Sequence, residues 1–422
     1  MNLAKTSLLS AIETGIKLSA GFLVLKYLSV LTGPKGIATF GQFQNFVAGV
    51  TAMCSGAFAT GLVRYVSETR GTHSSKPYVQ RATGVACLLL LLLTVPLLSI
   101  PGPISAAIFG TKDLAWVFMC LAVALPFTVL FQIILALLNG SGRIRELIVA
   151  KSASSLLLLA VSIILVTLFG VRGGLAALVL APASAVAVAI ALMLRLPQID
   201  LTWFRPQLSR GAMREFLPFW IMSMTTVIST PLVLVLIRTS IGEQLGWQAA
   251  GYWEASWKIA ELYLLVITTA LTVYYVPHLS RAAPGPAEKS IVLRTLVFAL
   301  GTSFVLAMTI YILRDLVVSV LFSDEFLPVA AILGPQLAGS VIKIGGWVTS
   351  YHMIVRGNVY ALVLSELVFG FLLYISSVYL VAHVGIIGAS YAFLANAVLY
   401  AAFSIAYYLI AIGRHRSERI AV

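Results

Sequence analysis

The chain has 422 residues, of which 60% are hydrophobic and only 10% charged, and its formal net charge is +13. A soluble domain carries about 25% charged residues, so this composition excludes a protein with a water-facing surface of ordinary size. The charge does not describe a nucleic-acid surface either, because the basic residues sit in short gaps between apolar segments, the distribution that membrane insertion produces.

Met1 to Lys5 is a short polar start. The apolar segment after it is too long for the core of a cleaved signal, so it reads as the first span. In chain order the apolar windows predict helical spans at 8–32, 38–64, 81–101, 114–138, 147–169 and 173–194. A second set follows at 213–239, 248–277, 292–313, 329–355, 359–382 and 386–411. About 20 apolar residues cross roughly 30 Å of hydrocarbon as a helix. Strands of a membrane barrel alternate over about 10 residues instead, and no such alternation occurs. The fold class expected is therefore an all-α polytopic membrane protein of about twelve spans.

With the N-terminus inside, the inner connections hold Lys5, then Arg64, Arg70, Lys76 and Arg81, then Arg143, Arg145 and Lys151. They continue with Arg195, Arg205, Arg210 and Arg214, with Arg281, Lys289 and Arg294, with Arg356, and with Arg414, Arg416 and Arg419. The outer connections hold Lys35, Lys112, Arg172, Arg238 and Arg314. A roughly fourfold excess on one side places both termini in the cytoplasm. The longest inner connection, from about Arg195 to Gly211, divides the chain into lobes at 1–205 and 206–422. The halves echo one another. Gly170-Val-Arg-Gly173 near the sixth span is matched by Gly385-Ile-Ile-Gly388 near the twelfth, and Ile108-Phe109-Gly110 by Leu321-Phe322-Ser323. Internal duplication is a recurrent transporter plan.

An ionisable side chain within the hydrocarbon costs about 2.5–3.5 kcal/mol on insertion scales, so it should face water, a partner or a ligand. Lys17, Lys258, Glu261 and Lys343 are expected near mid-membrane, with Glu13 and Glu366 shallower. Glu254, Lys258 and Glu261 share one helical stripe, and Glu13 precedes Lys17 by four residues, so both sets also read as internal salt bridges. Lys26, toward the outer end of the first span, reads equally as a snorkelling lysine. Lys343 has no acidic neighbour on its own helix and is flanked by Gly339, Gly345 and Gly346, which favours an anionic ligand in a wet cavity. Trp253 and Trp257 read either as an interfacial belt or as a face for stacking sugars. Pro96, Pro126, Pro182, Pro218, Pro231, Pro277 and Pro335 lie in or beside spans, where each removes a backbone hydrogen bond and permits a kink.

Cys54, Cys87 and Cys120 are isolated, with no CxxC pair and no histidine cluster beside them, and read as small packing residues. No nucleotide-binding G-x-x-x-x-G-K-[ST], no H-E-x-x-H and no G-x-S-x-G occurs. Neither a cofactor nor a metal is expected, and a transporter is favoured over an enzyme.

Several stretches resemble the Wzx lipid-linked oligosaccharide flippases of the multidrug/oligosaccharidyl-lipid/polysaccharide exporter superfamily. They are GIKLSAGFLVLKYLSVLTGPKGIA at Lys17 and Lys26, TGLVRYVSET at Arg64, GYWEASWKIAELYL, VPHLSR at Arg281, LRDLVVSVLFSDEF at Arg314, QLAGSVIKIGGWVTSY at Lys343, and the segment of Glu366. The resemblance implies two six-helix lobes around a central cationic cavity. It implies alternating access that carries an undecaprenyl-pyrophosphate-linked oligosaccharide from the cytoplasmic to the periplasmic leaflet of a bacterial inner membrane. The product would feed enterobacterial common antigen or O-antigen assembly, with membrane lipid and the polysaccharide polymerase and chain-length proteins as partners. Lys17, Arg64, Glu261, Lys343 and Glu366 match charged positions of that family, whereas Lys258 is particular to this chain. With Lys26, the residues expected to bind the anionic head are Lys17, Arg64, Lys258 and Lys343. The coupling candidates are Glu261, Glu366, Glu254 and Glu13. Two alternatives stay open: a cation-coupled drug exporter of the same superfamily, and a membrane scaffold for polysaccharide enzymes. Lipid-linked peptidoglycan flippases generally carry two further helices.

Overall fold

The structure, a computed structural model, describes residues 3–69, 73–195, 199–282, 285–356 and 358–420. Arg70 lies outside the described residues, as do the side chains of Lys5, Arg210, Pro218, Arg414, Arg416 and Arg419. Fourteen α-helices run in the order α1 (Leu3–Glu68), α2 (Lys76–Ser99), α3 (Pro101–Phe109), α4 (Ala115–Gly140), α5 (Ile144–Phe169), α6 (Val171–Met193), α7 (Arg210–Leu245), α8 (Trp247–Ala270), α9 (Val276–Arg281), α10 (Pro286–Ile312), α11 (Arg314–Leu321), α12 (Val329–Val355), α13 (Val359–Val384) and α14 (Ile387–Ile420). Among the described residues there is no strand.

These helices account for the expected spans. α1 is broken at Gly33 (φ 62°, ψ −168°) and supplies the first two. α2, α4, α5 and α6 complete the first set of six. The second set is α7, α8, α10, α12, α13 and α14, with α8 prolonged through a single π-helical turn, Leu271–Tyr275, into α9. Among the described residues nine helices are long and apolar enough to cross a membrane by themselves. α7 and α8 are not among them, and for α8 the stripe of Glu254, Lys258 and Glu261 is the physical reason. The chain is a multi-pass membrane protein. The short helices α3 and α11 were not foreseen. Each closes on a buried phenylalanine, Phe109 and Phe322, and these are the paired residues of the second sequence echo.

The chain divides into two compact units, Met1–Val235 and Leu236–Val422. In the first, 72% of the apolar window of α4 is buried, against 17% for α5. In the second, the window of α12 is 56% buried and that of α13 again 17%. Each unit thus has one central helix and one with little of its apolar window buried, as lipid demands. The glycine echo has a geometric cause. A Cβ on Gly173 would strike the carbonyl oxygen of Leu165, and a Cβ on Gly388 that of Leu380. In both cases the helix folds back so tightly that only glycine fits. The offsets agree, because 388 minus 173 and 380 minus 165 are both 215.

The connection after α6 is not slack. A short 3₁₀ turn, Leu201–Phe204, buries Trp203. Lys76 donates to Thr202 Oγ1 at 2.5 Å, Gln80 Nε2 to the carbonyl of Thr202 at 3.0 Å, and the amide of Gln207 to the carbonyl of Gln80 at 3.0 Å. The linker is clasped to the start of α2. Bonding to Thr202, and then the charge of Lys76, hold the Asp200 carboxyl below the usual carboxylate range.

Candidate functional site

α7 and α8 form a hairpin whose turn is at Gly246. Residue 246 is the midpoint of 238 and 254, so Arg238 and Glu254 meet across the antiparallel pair. Arg238 is 0% exposed and Glu254 1%. Arg238 Nε donates to Glu254 Oε2 at 3.0 Å, and a terminal guanidinium nitrogen donates to the same oxygen. One turn along α8, Lys258 Nζ lies 3.9 Å from the other oxygen of Glu254, and 2.9 Å from Oε2 of Glu261. The side chain of Glu261 is 55% exposed and that of Lys258 17%. Charge therefore alternates from the core of the unit outward: guanidinium, carboxylate, ammonium, carboxylate.

Aromatic rings underlie this row. The guanidinium of Arg238 stands 5.5 Å from the ring of Trp253, and Trp253 packs 5.7 Å from Trp257. Trp257 meets Phe393 edge-on at 5.2 Å. Lys343 Nζ then lies 5.3 Å from the centroids of both Phe393 and Trp347. A cation over a ring face gains about 0.5–2 kcal/mol, more as water is excluded. Gly339 makes this possible, since a Cβ there would come within 2.8 Å of the Phe393 ring. Glu366, and less strongly Glu261, act on Lys343 electrostatically. The result is a strip built from α7, α8, α12, α13 and α14 that carries two partly buried lysines, Lys258 between carboxylates and Lys343 over aromatic rings. Such a surface suits an anionic head joined to a sugar.

The structure therefore gathers Glu254, Lys258, Glu261, Lys343, Glu366, Trp253 and Trp257 in the second unit. Four expected residues lie in the first. Lys17 is exposed, and among the described residues it forms no ion pair with Glu13. Lys26 is half-buried. Arg64 pairs with Glu68 at 2.9 Å on an exposed face near the end of α1. Three readings change in detail. Trp253 is 1% exposed, so it has no open face for a sugar, whereas Trp257 is partly exposed. Glu254 answers to Arg238 before Lys258. Arg238, counted with the outer connections, is instead a buried charge. Its signal was present in the symmetric spacing about Gly246. It passed unnoticed because Arg238 ends an apolar run.

A second buried group was missed altogether. Glu288, 1% exposed at the start of α10, lies 2.5 Å from Arg356 and 3.1 Å from His352 Nε2. Arg356 also donates to the carbonyl of Ala282 at 3.2 Å. This group ties the ends of α9, α10 and α12 together. Among the described residues, no set of three or more His, Cys, Asp or Glu side chains is placed to hold a metal ion, and the three cysteines are free.

Residues 42–331 match the model of a family described as polysaccharide biosynthesis protein. The lipid III flippase of Escherichia coli strain K12 is 27% identical over 408 residues, covering 95% of this chain and 96% of that protein. The lipid III flippase of Shigella flexneri matches equally. Among solved structures, an inward-facing multidrug resistance MATE family transporter of the MOP superfamily superposes with a TM-score of 0.79 at 14% identity, covering 96% of this chain and 99% of that one. A MOP superfamily transporter from Pyrococcus furiosus, described by the reverse polarity of its binding pocket, gives 0.71 at 16% identity, with 97% and 95% covered. At these identities the likeness is one of fold.

Proposed function

This chain belongs to the polysaccharide biosynthesis protein family, and from that premise we propose that it flips a lipid-linked oligosaccharide across a bacterial inner membrane without enzymatic chemistry. The observation that carries the reading is the strip in which Lys258 stands between two carboxylates and Lys343 lies over aromatic rings. A pyrophosphate-linked glycan has an anionic, polar head that loses water on entering protein, and lysines in apolar surroundings offset that cost. Trp257 offers the adjoining sugar a ring to stack on, while a polyprenyl tail stays in lipid. The named relatives act on lipid III, and by their likeness the substrate is an undecaprenyl-pyrophosphate-linked glycan for enterobacterial common antigen or O-antigen. Lobes at 1–205 and 206–422 alternate access. Lys17, Lys26 and Arg64 serve the anion from the first lobe, and Glu261 and Glu366 couple the cycle. The polysaccharide polymerase is a partner of the product. A drug exporter for cations is disfavoured, because two lysines on the strip repel such cargo.

The test is reconstitution. Purified protein in vesicles should translocate a fluorescent undecaprenyl-pyrophosphate oligosaccharide. Lys343→Ala should cut the rate at least tenfold at equal protein content, and Lys343→Arg should retain part of it. A Lys343→Ala protein that transports at the wild-type rate would remove the cationic strip from the mechanism.

A further inference from the structure

We propose that Arg238 is a positioning residue: by holding one oxygen of Glu254, it keeps Lys258 free to meet an anionic ligand. The inference rests on the anion-binding reading above and adds a residue to it.

The argument starts from the cost of burial. A fully buried ion pair gains little net stability, because desolvation offsets most of its Coulomb energy, and an apolar pair of similar volume often serves as well. Stability alone therefore does not explain why Arg238 and Glu254 stand at the base of the hairpin. Their geometry supplies another reason. Two guanidinium contacts go to Glu254 Oε2. The remaining oxygen, Oε1, is buried without a hydrogen bond and faces Lys258 Nζ at 3.9 Å. That distance is ion-pair reach but beyond hydrogen-bond length. Lys258 instead donates to Glu261 at 2.9 Å, the one carboxylate of the row that is exposed and able to move aside.

Lys258 thus sits between a fixed carboxylate already neutralised by Arg238 and a movable one at the surface. An incoming diphosphate replaces Glu261 on Nζ, and Glu254 remains behind the ammonium as a steadying charge. Without Arg238, Glu254 carries an uncompensated buried charge one turn from Lys258. It then captures the ammonium, and the lysine is withdrawn from the ligand.

The experiment is calorimetric titration of the purified full-length protein, which separates affinity from the fraction of competent sites. Inorganic pyrophosphate and farnesyl pyrophosphate serve as separate probes for a free and a lipid-borne diphosphate. Arg238→Gln should bind at least tenfold more weakly with an unchanged site number. Arg238→Gln/Glu254→Gln should recover most of the affinity, because nothing is left to capture Lys258. The exchanged pair Arg238→Glu/Glu254→Arg re-forms the buried bridge and leaves no uncompensated carboxylate beside Lys258, so it should also keep most of the affinity. Unchanged affinity in Arg238→Gln with fewer competent sites is the outcome of a purely structural pair and overturns the proposal. So does binding by a folded exchanged pair that is as weak as in Arg238→Gln. If Arg238→Gln does not fold, the two double variants decide. A wild type that binds neither probe removes the anion-binding reading, and the positioning role with it.

Discussion

At the scale of single residues, the second unit shows how a membrane protein keeps charge in an apolar interior, by pairing Arg238, Glu254, Lys258 and Glu261 in a row of alternating sign and by setting Lys343 over aromatic rings. Glu261 is the weakest member of the row, half in solvent and held by a single contact to Lys258. It acts as an internal anion that any diphosphate has to displace. Pairs of this exposure contribute about 0.2–1 kcal/mol, a factor of roughly 1.4 to 5 in affinity. Glu261→Gln should therefore bind inorganic pyrophosphate about two- to fivefold more tightly than wild type, as titration would measure. Weaker binding would mean that Glu261 helps to hold the ligand. The sequence made Lys258, Glu261 and Lys343 legible because an ionisable residue deep in an apolar run has few uses. It hid Arg238, which ends such a run and looks like a loop charge until the hairpin is closed. It hid the fate of Trp253 for a related reason: spacing tells which helix face a ring occupies, not whether another side chain already covers it.

Among the elements, the connection that follows α6 departs furthest from its sequence reading. Its length and polarity mark a boundary, yet Trp203 is buried and three side chains of α2 and the linker hold it down. The crossing point is Gly84, where a Cβ would lie 2.6 Å from the backbone carbonyl of Gln207. Backbone cannot swing aside as a flexible side chain does, so Gly84→Ala has to lift the linker. Chymotrypsin cleavage after the exposed Leu208 should then run severalfold faster in detergent-solubilised Gly84→Ala than in wild type. Equal rates would show that the linker is held elsewhere, at Lys76 and Gln80. Nothing in the local sequence foretold this contact, because Gly84 sits inside an ordinary apolar span. The short helices α3 and α11 escaped for the same kind of reason, being too brief to register in a window of span length.

Over the whole molecule, the duplication places matching turns at matching positions but does not duplicate the charges. Gly33 and Gly246 are 213 apart, as are Phe109 and Phe322, and each pair occupies the same place in its half. On that offset Glu254, Lys258, Glu261 and Lys343 correspond to Gly41, Asn45, Ala48 and Leu130, none of them ionisable. One half bears the strip and the other keeps the plain form of the same helices. The repeat was visible in the sequence through its glycines, whose role is steric and leaves a residue-specific mark. The inequality of the halves also bears on orientation. With Arg238 neutralised inside the protein, the outer connections retain only Lys35, Lys112, Arg172 and Arg314, so the asymmetry of free basic charge is sharper than the raw count. Holding Lys and Arg on the inner side is what orients a polytopic chain, and carrying one across costs about 2.5–3.5 kcal/mol at the membrane centre. An even number of spans then returns the C-terminus to the side of the N-terminus. A phosphatase active only in the periplasm should be silent when fused after Arg414 and active when fused after Lys112, and a reporter that works only in the cytoplasm should give the converse. Phosphatase activity after Arg414 would invert the orientation and place the basic connections outside. The direction of transport would then need a different argument, because the leaflet where lipid-linked glycans are built would face the side that carries few basic residues.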